Sequence, residues 1–450
     1  MSTVLLPVDL ADVMLWGTRI GAVAWQRENG FATFEYDRSF LNSGIEIAPL
    51  HMPLASRPYR FATLPKPTFH GLPGLLADTL PDRFGNLLIN RWLADQGRSG
   101  EDFSPVERLC YQGSRGMGAL EFKPALGSGR EVSAEVDVAG LVGLANQVLA
   151  EREGLSIDSS APGSFADIIR VGTSAGGARA KAVIALDEST GEMRSGQITP
   201  EHDQGGTAPN RRRFTQWLLK FDGVTGNRDK ELADPQGYGV IEFAYYRMAL
   251  AAGIQMETCK LHREGGRSHF MTRRFDRPGT GGEKLHMLSL CGMAHFDFNS
   301  AGAHSYEQAI QTIRKLDLPR VDVLEQFRRA VFNVLARNQD DHTKNIAFLM
   351  DRTGCWRLSP AYDVTYSYNP TGKWTGQHQM SVAGKRDGFD LDDLRSLSRA
   401  GNLGLGEFRN IVAEVTEAIA GWTEFAAEAG VPEEDAAKIA KTHRVMTRQS

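Results

Sequence analysis

A short polar segment interrupts an apolar stretch of the chain near residue 340. It reads DDHTKN over residues 340–345 and lies between the apolar runs VFNVLA and IAFLM. Carboxylate and amide oxygens at the edge of a core suit a site for a metal ion and phosphate groups. Asp340 and Asn345 have the spacing that protein kinases use for their catalytic aspartate and a Mg²⁺-binding asparagine. A capped polar turn is the alternative interpretation.

A second acidic residue follows at a separation that one β-hairpin can bridge. Asp363, in LSPAYDV, comes 18 residues after Asn345. A strand, a turn and a second strand fit in between, and such a hairpin would return Asp363 to the side of Asn345. In that position Asp363 would correspond to the second Mg²⁺ ligand of a kinase, although a DFG motif is absent.

A lysine within an apolar strand pattern is the third candidate. Lys220 lies in WLLKFDG, and Glu242 lies on the helix-like segment VIEFAYY that follows. A buried ammonium group needs a counter-charge or a phosphate. The pair resembles the strand lysine and helix glutamate of protein kinases. Lys220 could equally extend to solvent from a sheet edge.

A run of small residues precedes this lysine. The segment GTSAGGARAKA over residues 172–182 would let backbone N–H groups approach a phosphate. It matches neither the Walker A pattern nor the GxGxxG of common kinases, so a flexible turn stays open. The order of the pieces is a glycine loop, a strand lysine, a helix glutamate, Asp-x4-Asn and a second aspartate. That order predicts a two-lobed phosphotransferase.

Composition limits the class of protein that positions these residues. The chain has 450 residues, 51 Lys plus Arg, 55 Asp plus Glu and a formal charge of −4. These values predict a globular protein of two or three domains. A protein that held nucleic acid by neutralising phosphates would usually be basic, so any DNA contact is expected through a partner.

The N-terminal stretch, the apolar runs and the cysteines indicate the cellular compartment. The N-terminal stretch MSTVLLPVDLADVMLW carries acidic residues and no basic region, which argues against a signal peptide. No run approaches the roughly 18 apolar residues of a spanning helix, so we expect a cytoplasmic protein without a membrane partner. The four cysteines are far apart and predict buried thiols rather than a disulfide framework or a zinc site.

Periodicity outlines the elements around the candidate residues. Residues 1–60 predict β-structure, and the second half of residues 72–97 predicts a helix that ends at Gly97. Polar Gly/Ser-rich segments around a helix at 138–151 mark the main boundary. Strands and helices then alternate, with a polar hairpin or disordered loop over 189–213, and the chain beyond residue 285 predicts mostly helix.

With these motifs in place, the chain resembles the HipA family of bacterial serine/threonine kinases, the toxins of HipBA-type toxin–antitoxin pairs. LADTLPDRFGNLL and GSRGMGALEF resemble its N-terminal "couple" domain, GGARAKA its phosphate loop, RRFDR its hinge, and DDHTKN with LSPAYDV its catalytic core. The resemblance covers nearly the whole chain. It implies an α+β fold with a small α/β couple domain at 1–125. A two-lobed protein-kinase-like (PI3/4-kinase-like) domain would follow, with a linker and N-lobe at 126–280 and a mostly helical C-lobe at 281–450.

The resemblance also implies a role for each matching residue. Asp340 would be the catalytic base, Asn345 and Asp363 would hold Mg²⁺, and Glu242 would pair with Lys220. Ser174 would be autophosphorylated, and a phosphate there adds about −1.5 to −2 charge beside the ATP phosphates, which would silence the kinase. The residues expected to contact ATP are Ala175, Gly176, Gly177, Ala178, Arg179, Lys181, Lys220, Arg273, Arg274, Phe275, His342, Lys344 and Tyr362.

The function implied by the resemblance is Mg²⁺- and ATP-dependent phosphorylation of an aminoacyl-tRNA synthetase, above all glutamate–tRNA ligase, which would halt translation and growth. A HipB-like helix-turn-helix antitoxin would be the partner and would supply most of the contact with operator DNA. One alternative is a catalytically weak corepressor acting with its antitoxin. Another is a kinase for a small molecule, against which the couple-like domain argues.

Two departures from the family pattern affect these expectations. Arg273 stands where an acidic residue is expected before RFDR, which a backbone-reading hinge could tolerate. The segment HMLSLCGMAHF lacks the Gln-Glu-Asp sequence of the family, so the choice of substrate and the consequence of residues 284–296 stay open. The arginines at 211–213 indicate a solvated charge run or, alternatively, a nucleic-acid contact.

Overall fold

The computed structural model describes residues 7–95, 97–126, 136–150, 179–195, 214–224, 237–280 and 282–444. Three antiparallel sheets and a set of helices make up this part of the chain, which confirms the α+β class. None of the helices in these ranges is long and apolar enough to cross a lipid bilayer. Among the cysteines, Cys110, Cys259 and Cys291 are buried free thiols as predicted, whereas Cys355 is exposed in a turn.

The N-terminal part is built on a four-stranded sheet of order β3-β2-β1-β4. Its strands are β1 (Leu10–Leu15), β2 (Thr18–Gln26), β3 (Phe31–Tyr36) and β4 (Leu120–Lys123). Its helices are α1 (Lys66–Phe69), α2 (Gly74–Ala77), α3 (Arg83–Asp95) and α4 (Pro105–Gln112). The β prediction is wrong for residues 37–60, which form turns, a 3₁₀ turn and one isolated bridge. Prolines in this stretch remove the N–H donors that a ladder needs.

A five-stranded sheet of order β6-β5-β7-β9-β8 follows. Its strands are β5 (Lys181–Asp187), β6 (Met193–Ser195), β7 (Phe214–Lys220), β8 (Cys259–Glu264) and β9 (Arg267–Arg273). Helix α5 (Val138–Ala150) precedes it and helix α6 (Tyr238–Ala251) packs on β9. The predicted hairpin is confirmed for β5 and β6, and the rest of the polar loop, with the arginines at 211–213, lies outside the described residues.

The C-terminal part is mostly helical, as predicted, around a sheet of order β10-β11-β12. Its strands are β10 (His286–Ser289), β11 (Ala347–Met350) and β12 (Trp356–Leu358). Its helices are α7 (Leu290–Ala294), α8 (Tyr306–Lys315), α9 (Arg320–Leu335), α10 (Leu391–Ala400), α11 (Leu405–Ala420), α12 (Trp422–Ala429) and α13 (Glu433–Ala440).

Two hydrophobic cores hold these parts together, and their membership crosses the sequence ranges. One joins the four-stranded sheet with the C-terminal helices. The other joins β5, β7 and α5 with the apolar face of α3, including Phe84 and Leu88. Helix α3 therefore belongs by sequence to the N-terminal part but packs on the five-stranded sheet. This places the start of α3 next to the candidate site.

Candidate active site

The register of the central sheet brings two lysines together. In the β5–β7 pairing, Lys181 lies directly opposite Lys220, and both side chains are almost completely buried. Like charges at directly opposed positions repel each other, so this arrangement is stable only if anions lie nearby. Because β7 lies between β5 and β9, the alternative in which Lys220 extends to solvent from a sheet edge is wrong.

Two carboxylates hold Lys220. Its Nζ donates to Glu242 Oε1 on α6 at 2.5 Å and to Asp363 Oδ1 at 2.5 Å. Burial disfavours the charged lysine, but Asp363 and Glu242 outweigh that effect and raise the pKa of Lys220 above its ordinary value. Burial likewise opposes ionisation of Asp363. The positive charges of Lys220 and, to a smaller extent, Lys181 outweigh that effect and lower the pKa of Asp363. Both groups are therefore charged at neutral pH.

Lys181 faces a carboxylate from the N-terminal part. Asp82 precedes α3, and its Oδ1 accepts the backbone N–H of Gly85 at 2.7 Å, as a helix N-cap does. Its Oδ2 lies 3.3 Å from Nζ of Lys181. Burial raises the pKa of Asp82 to about 6, and the charge of Lys181 only partly opposes this. Asp82 was not among the predicted site residues, although an acid directly before a helix in PDRFGN is an N-cap signal.

Only the end of the predicted phosphate loop belongs to the described residues. Arg179 lies with its guanidinium carbon 3.3 Å from the ring centre of Tyr238, and its Nη1 is 3.6 Å from Glu242 Oε2. Glu242 thus links the loop end to Lys220. The predicted autophosphorylation site, Ser174, lies outside the described residues. So do four of the predicted ATP contacts in the loop, which are Ala175, Gly176, Gly177 and Ala178.

The polar segment at 340–345 forms the connection between α9 and β11. A 3₁₀ turn covers Thr343–Asn345, and Asn345 Nδ2 donates to the backbone carbonyl of Asp340 at 2.8 Å. His342 Nε2 lies 3.9 Å from Asp340 Oδ1. Lys344 packs with its Nζ 4.9 Å from the ring centre of Phe298. The segment therefore folds on itself, with Asp340 and Asn345 joined across it.

The two adjacent aspartates have different surroundings. Asp341 is buried, and its carboxylate accepts from Tyr306 Oη at 2.7 Å, from His378 Nδ1 at 2.8 Å and from the backbone of Gln379 at 2.7 Å. Burial opposes its ionisation, but His378 and these donors together lower the pKa of Asp341. Asp340 is half-buried. Asp341 is thus committed to structure, and Asp340 is the acid that a reacting group could approach.

The predicted hairpin is present and returns the chain to this loop. β11 pairs with β12 in antiparallel register, and Tyr362 Oη then donates to the backbone carbonyl of Lys344 at 2.5 Å. Asp363 follows with φ of +52°, a left-handed conformation that aspartate tolerates better than most residues. The strand lysine, the helix glutamate, the polar loop and Asp363 are thereby brought into one region.

Asn345 and Asp363 have the oxygen chemistry that Mg²⁺ prefers. Since Nδ2 of Asn345 donates to Asp340, its Oδ1 is the side-chain atom left to coordinate a cation. Asp363 already binds a cation, the ammonium group of Lys220. Within the described ranges no group of three or more His, Cys, Asp or Glu side chains could hold a metal. Mg²⁺ commonly uses only one or two protein oxygens together with substrate phosphates, so these two residues fit.

The predicted hinge connects to the N-terminal part. Arg274 is buried, donates to the backbone carbonyl of Gly116 at 3.1 Å and pairs with Asp276 at 2.7 Å. Arg277 pairs with the same carboxylate at 2.7 Å. Burial opposes ionisation of Asp276, but the two guanidinium groups hold the pKa of Asp276 far below its usual range. The side chain of Arg274 therefore lies in an inter-domain cluster and not beside the two lysines.

The backbone of the hinge is partly engaged as well. The N–H groups of Arg273 and Arg274 donate to the carbonyls of Thr258 and Gln216 at 2.9 and 2.8 Å. Phe275 lies closer to the polar loop, with its ring centre 5.5 Å from that of Tyr362. Of the three hinge residues, the side chain of Phe275 is the one that the structure places beside another predicted ATP contact.

The segment that departs from the family pattern packs on the N-terminal part. The backbone N–H and the hydroxyl of Ser289 both donate to the carboxylate of Asp78 at 2.6 Å. The ring of His295 stacks on that of His51 with centres 4.0 Å apart. Gly118 has φ of +77°, and a Cβ there would lie 2.9 Å from the backbone nitrogen of Met287. Residues 284–296 therefore form an inter-domain contact.

Comparisons with known proteins identify the family and the fold. The model of the HipA-like C-terminal domain matches residues 173–446, and that of the HipA N-terminal domain matches residues 11–123. A protein of Sinorhizobium fredii named "Putative kinase Y4mE" is 24% identical over 438 residues, covering 90% of each chain. HipA from the Shewanella oneidensis HipA–HipB–operator DNA complex superimposes with a TM-score of 0.63 at 17% identity, covering 96% of this chain and 94% of that one. The chain belongs to the HipA family.

Proposed function

We propose that the protein is a Mg²⁺- and ATP-dependent protein serine/threonine kinase that acts as a growth-arresting toxin. The observation that carries the proposal is the position of Lys220 between Glu242 and Asp363, next to the loop that joins Asp340 and Asn345. Phosphoryl transfer needs positioned cations around the phosphates and an acid that receives the proton of the attacking hydroxyl. The residues of this site provide both.

Each residue would contribute a separate part of the reaction. Lys220 and Lys181 bind phosphate oxygens and offset the charge that spreads over the transferred group. Asn345 and Asp363 hold Mg²⁺, which supplies further charge neutralisation when it is bound. Asp340 orients the acceptor hydroxyl and receives its proton. Phe275 and Tyr362 form an aromatic contact between the lobes, at the side of the site where an adenine ring could pack.

The ion pairs of the site imply that nucleotide binding exchanges partners. Lys220 holds Asp363, and Asp82 faces Lys181, so each lysine already has a carboxylate neighbour. Phosphate oxygens would take over part of the role of these carboxylates. Asp363 would then be able to accept Mg²⁺ in place of the ammonium group. This exchange keeps the buried charges compensated in both states, as buried charges require.

The proposed target and partner are those that the family resemblance implies. We propose an aminoacyl-tRNA synthetase, first of all glutamate–tRNA ligase, as the substrate, and a HipB-like antitoxin as the partner that makes most of the contact with operator DNA. The support for the partner is the fold shared with a HipA that was solved together with HipB and its operator DNA. Self-phosphorylation at Ser174 is part of the same proposal.

Expression of the wild type beside Asp340→Asn tests the kinase function. The wild type should arrest growth, and phosphosite mass spectrometry of the host proteome should identify a modified synthetase. Asp340→Asn should do neither, whereas the exposed Asp317→Asn serves as the matched control and should behave like the wild type. Equal arrest by wild type and Asp340→Asn would refute the kinase proposal and favour the corepressor function.

Self-phosphorylation is tested separately on the purified chain. Incubation with Mg²⁺ and ATP followed by peptide mass spectrometry should locate phosphate at Ser174. Ser174→Ala should remove that signal and keep transfer to the protein substrate. Unchanged self-phosphorylation of Ser174→Ala would show that another residue is the acceptor.

A further inference from the structure

The segment after Asp363 folds back over the polar loop and carries a tryptophan to it. The N–H of Asn369 donates to the carbonyl of Thr375 at 3.2 Å, and the N–H of Gly376 donates to that of Gly372 at 3.1 Å. These bonds close a compact turn around Trp374, which is half-buried. None of the sequence motifs described above includes this turn.

The indole group contacts the proposed base. Nε1–H of Trp374 donates to Oδ1 of Asp340 at 2.6 Å. An indole N–H can only donate and an ionised carboxylate can only accept, so the direction of this bond is unambiguous. A hydrogen bond to a charged acceptor is also stronger than a neutral one. The contact joins two residues that are 34 positions apart in the sequence.

The turn is anchored on both sides of Asp340. Gln379 donates through its side chain to the carbonyl of Gln339 at 3.3 Å and through its backbone N–H to Asp341 Oδ1 at 2.7 Å. The same side chain donates to the carbonyl of Trp374 at 2.5 Å. The residues before and after Asp340 are thus bound to the segment that carries the indole. The position of Trp374 relative to Asp340 is therefore held by neighbours of both residues.

We propose that Trp374 is a positioning residue that orients the carboxylate of Asp340 toward the acceptor hydroxyl; this inference rests on the proposed function. The terminal torsion of an aspartate is broad, and a donor on Oδ1 fixes the plane of the carboxylate. A carboxylate has about four acceptor positions on two oxygens, so this bond is compatible with a hydroxyl on the same group. Trp374 acts through Asp340 and need not touch the substrate.

This orientation would serve the transfer of the γ-phosphoryl group from ATP to a hydroxyl group. The acceptor oxygen forms a bond to the γ-phosphorus of ATP while the bond from that phosphorus to the bridging oxygen breaks. ADP leaves with the electron pair of the broken bond. The proton of the hydroxyl passes to Asp340. A carboxylate that rotates away from the hydroxyl would slow this step without weakening the binding of ATP.

Kinetics of the purified full-length chain provide the first test. Trp374→Phe keeps the aromatic ring and removes the donor. Its rate of γ-phosphate transfer at saturating Mg-ATP should fall about 10- to 100-fold, the range typical when an outer hydrogen-bond partner of a functional group is lost. The half-saturating ATP concentration should change less than about twofold. Trp374→His retains a ring N–H and should recover part of the rate.

A matched tryptophan controls for general effects of losing an indole bond. Trp356 donates from Nε1 to the carbonyl of Glu46 at 2.9 Å, at a different place in the structure. Trp356→Phe should keep the wild-type transfer rate. A Trp374→Phe rate within twofold of wild type overturns the inference, and so does a rate above wild type, which would show that the indole obstructs the base.

The indole N–H resonance tests the contact without any turnover. In a ¹⁵N-labelled sample, the indole cross-peak that disappears in Trp374→Phe belongs to this residue. Asp340→Asn should move that cross-peak and leave the cross-peak of Trp356 in place. An unmoved cross-peak in Asp340→Asn overturns the inference even if the wild type transfers phosphate. A wild type that transfers no phosphate overturns the proposed function, and the positioning role falls with it.

Discussion

Two buried clusters of charged side chains lie along the central sheet. One has a single acid between two bases, and the other has a single base between two acids. At the hinge, one carboxylate, Asp276, lies between the guanidinium groups of Arg274 and Arg277. At the candidate site, one ammonium group, Lys220, lies between the carboxylates of Glu242 and Asp363. Counted over these three groups alone, the hinge cluster has one positive charge in excess and the lysine cluster one negative charge, which Arg179, 3.6 Å from Glu242 Oε2, offsets. Both consist of groups that are costly to bury unless they are paired.

The geometry of the two clusters indicates a structural connection at the hinge and a candidate reaction site at Lys220. The two guanidinium groups at the hinge also donate to the carbonyls of Gly116 and Gly118, and planar guanidinium forks hold such bonds in one arrangement. The side chain of Asp276 is 0% exposed, whereas that of Asp363 is 27% exposed. A lysine is a compact charge on a flexible stem. The hinge cluster therefore fixes the N-terminal part on the sheet, whereas the geometry of the lysine cluster is compatible with the proposed exchange of Lys220 for Mg²⁺ at Asp363.

The largest expected effect is loss of activity in the lysine cluster. Asp363→Asn should reduce phosphate transfer about 100- to 1000-fold, since it weakens one of the two proposed Mg²⁺ ligands and, through the cation, the charge stabilisation at the phosphates. Its denaturation midpoint should stay near that of the wild type, because Lys220 keeps Glu242 as a partner. Chelation of Mg²⁺ should abolish transfer by the wild type. If Asp363→Asn unfolds much more readily than the wild type, the site is a structural connection as well.

The next effect is loss of stability at the hinge. Asp276→Asn removes the carboxylate that two buried guanidinium groups share and should lower the free energy of unfolding by about 3–5 kcal/mol. Urea denaturation measures this change. The matched control is Asp12→Asn, whose exposed pair with Arg19 should contribute no more than about 1 kcal/mol. Similar midpoints for Asp276→Asn and the control would contradict the role of the hinge cluster as a structural connection.

A smaller effect on activity is expected from the helix partner of Lys220. Glu242→Gln removes one of the two carboxylates on this lysine and the partner of Arg179. Asp363 still holds Lys220, so transfer at low ATP should fall only about 10-fold, equivalent to about 1.4 kcal/mol. Initial rates over a range of ATP concentrations measure this change. A loss as large as that of Asp363→Asn would mean that the two carboxylates act as one unit.

A gradual effect, spread over the acidic pH range, is expected at the contact of Asp82 with Lys181. The pKa of Asp82 is raised by burial from 3.8 to about 6, so folding favours its protonated form. Its contribution to stability is complete below pH 3.8 and is lost as the pH rises through 6. Relative to Asp82→Asn, the wild type should lose about 1–3 kcal/mol between these limits.

Urea denaturation at several pH values checks this prediction. Asp12→Asn again serves as the control for the loss of one exposed carboxylate. A constant difference between wild type and Asp82→Asn across the range would show that Asp82 ionises with its ordinary pKa in the folded chain.

Local patterns in the sequence predicted most elements of the fold. Helix α6 with its end near Gly253, the strand around Lys220 and the hairpin after Asn345 follow from apolar periodicity and from glycine turns, which act within a few residues. The β prediction for residues 37–60 was wrong because apolar and aromatic residues alone do not make a ladder where prolines remove donors. Motif spacing also identified Lys220, Glu242, Asp340, Asn345 and Asp363 as candidates.

The partners that connect distant elements could not be read from such patterns. Asp82 meets Lys181 because α3 packs on the five-stranded sheet, away from the strands that neighbour it in sequence. Trp374 meets Asp340 because a turn after the hairpin folds back. The side chain of Arg274 reaches the inter-domain cluster with Asp276. Each of these contacts depends on how two elements dock.

The sequence by itself determined which chemical groups the protein has, their order along the chain and the family to which they belong. Only the tertiary structure decided that Lys181 lies opposite Lys220, which of the two adjacent aspartates is buried, and where the segment at 284–296 packs. The physical reason is the distance along the chain over which each effect acts. Turn, cap and periodicity signals act over a few residues, whereas sheet register and domain docking are set by burial of apolar area summed over the whole chain.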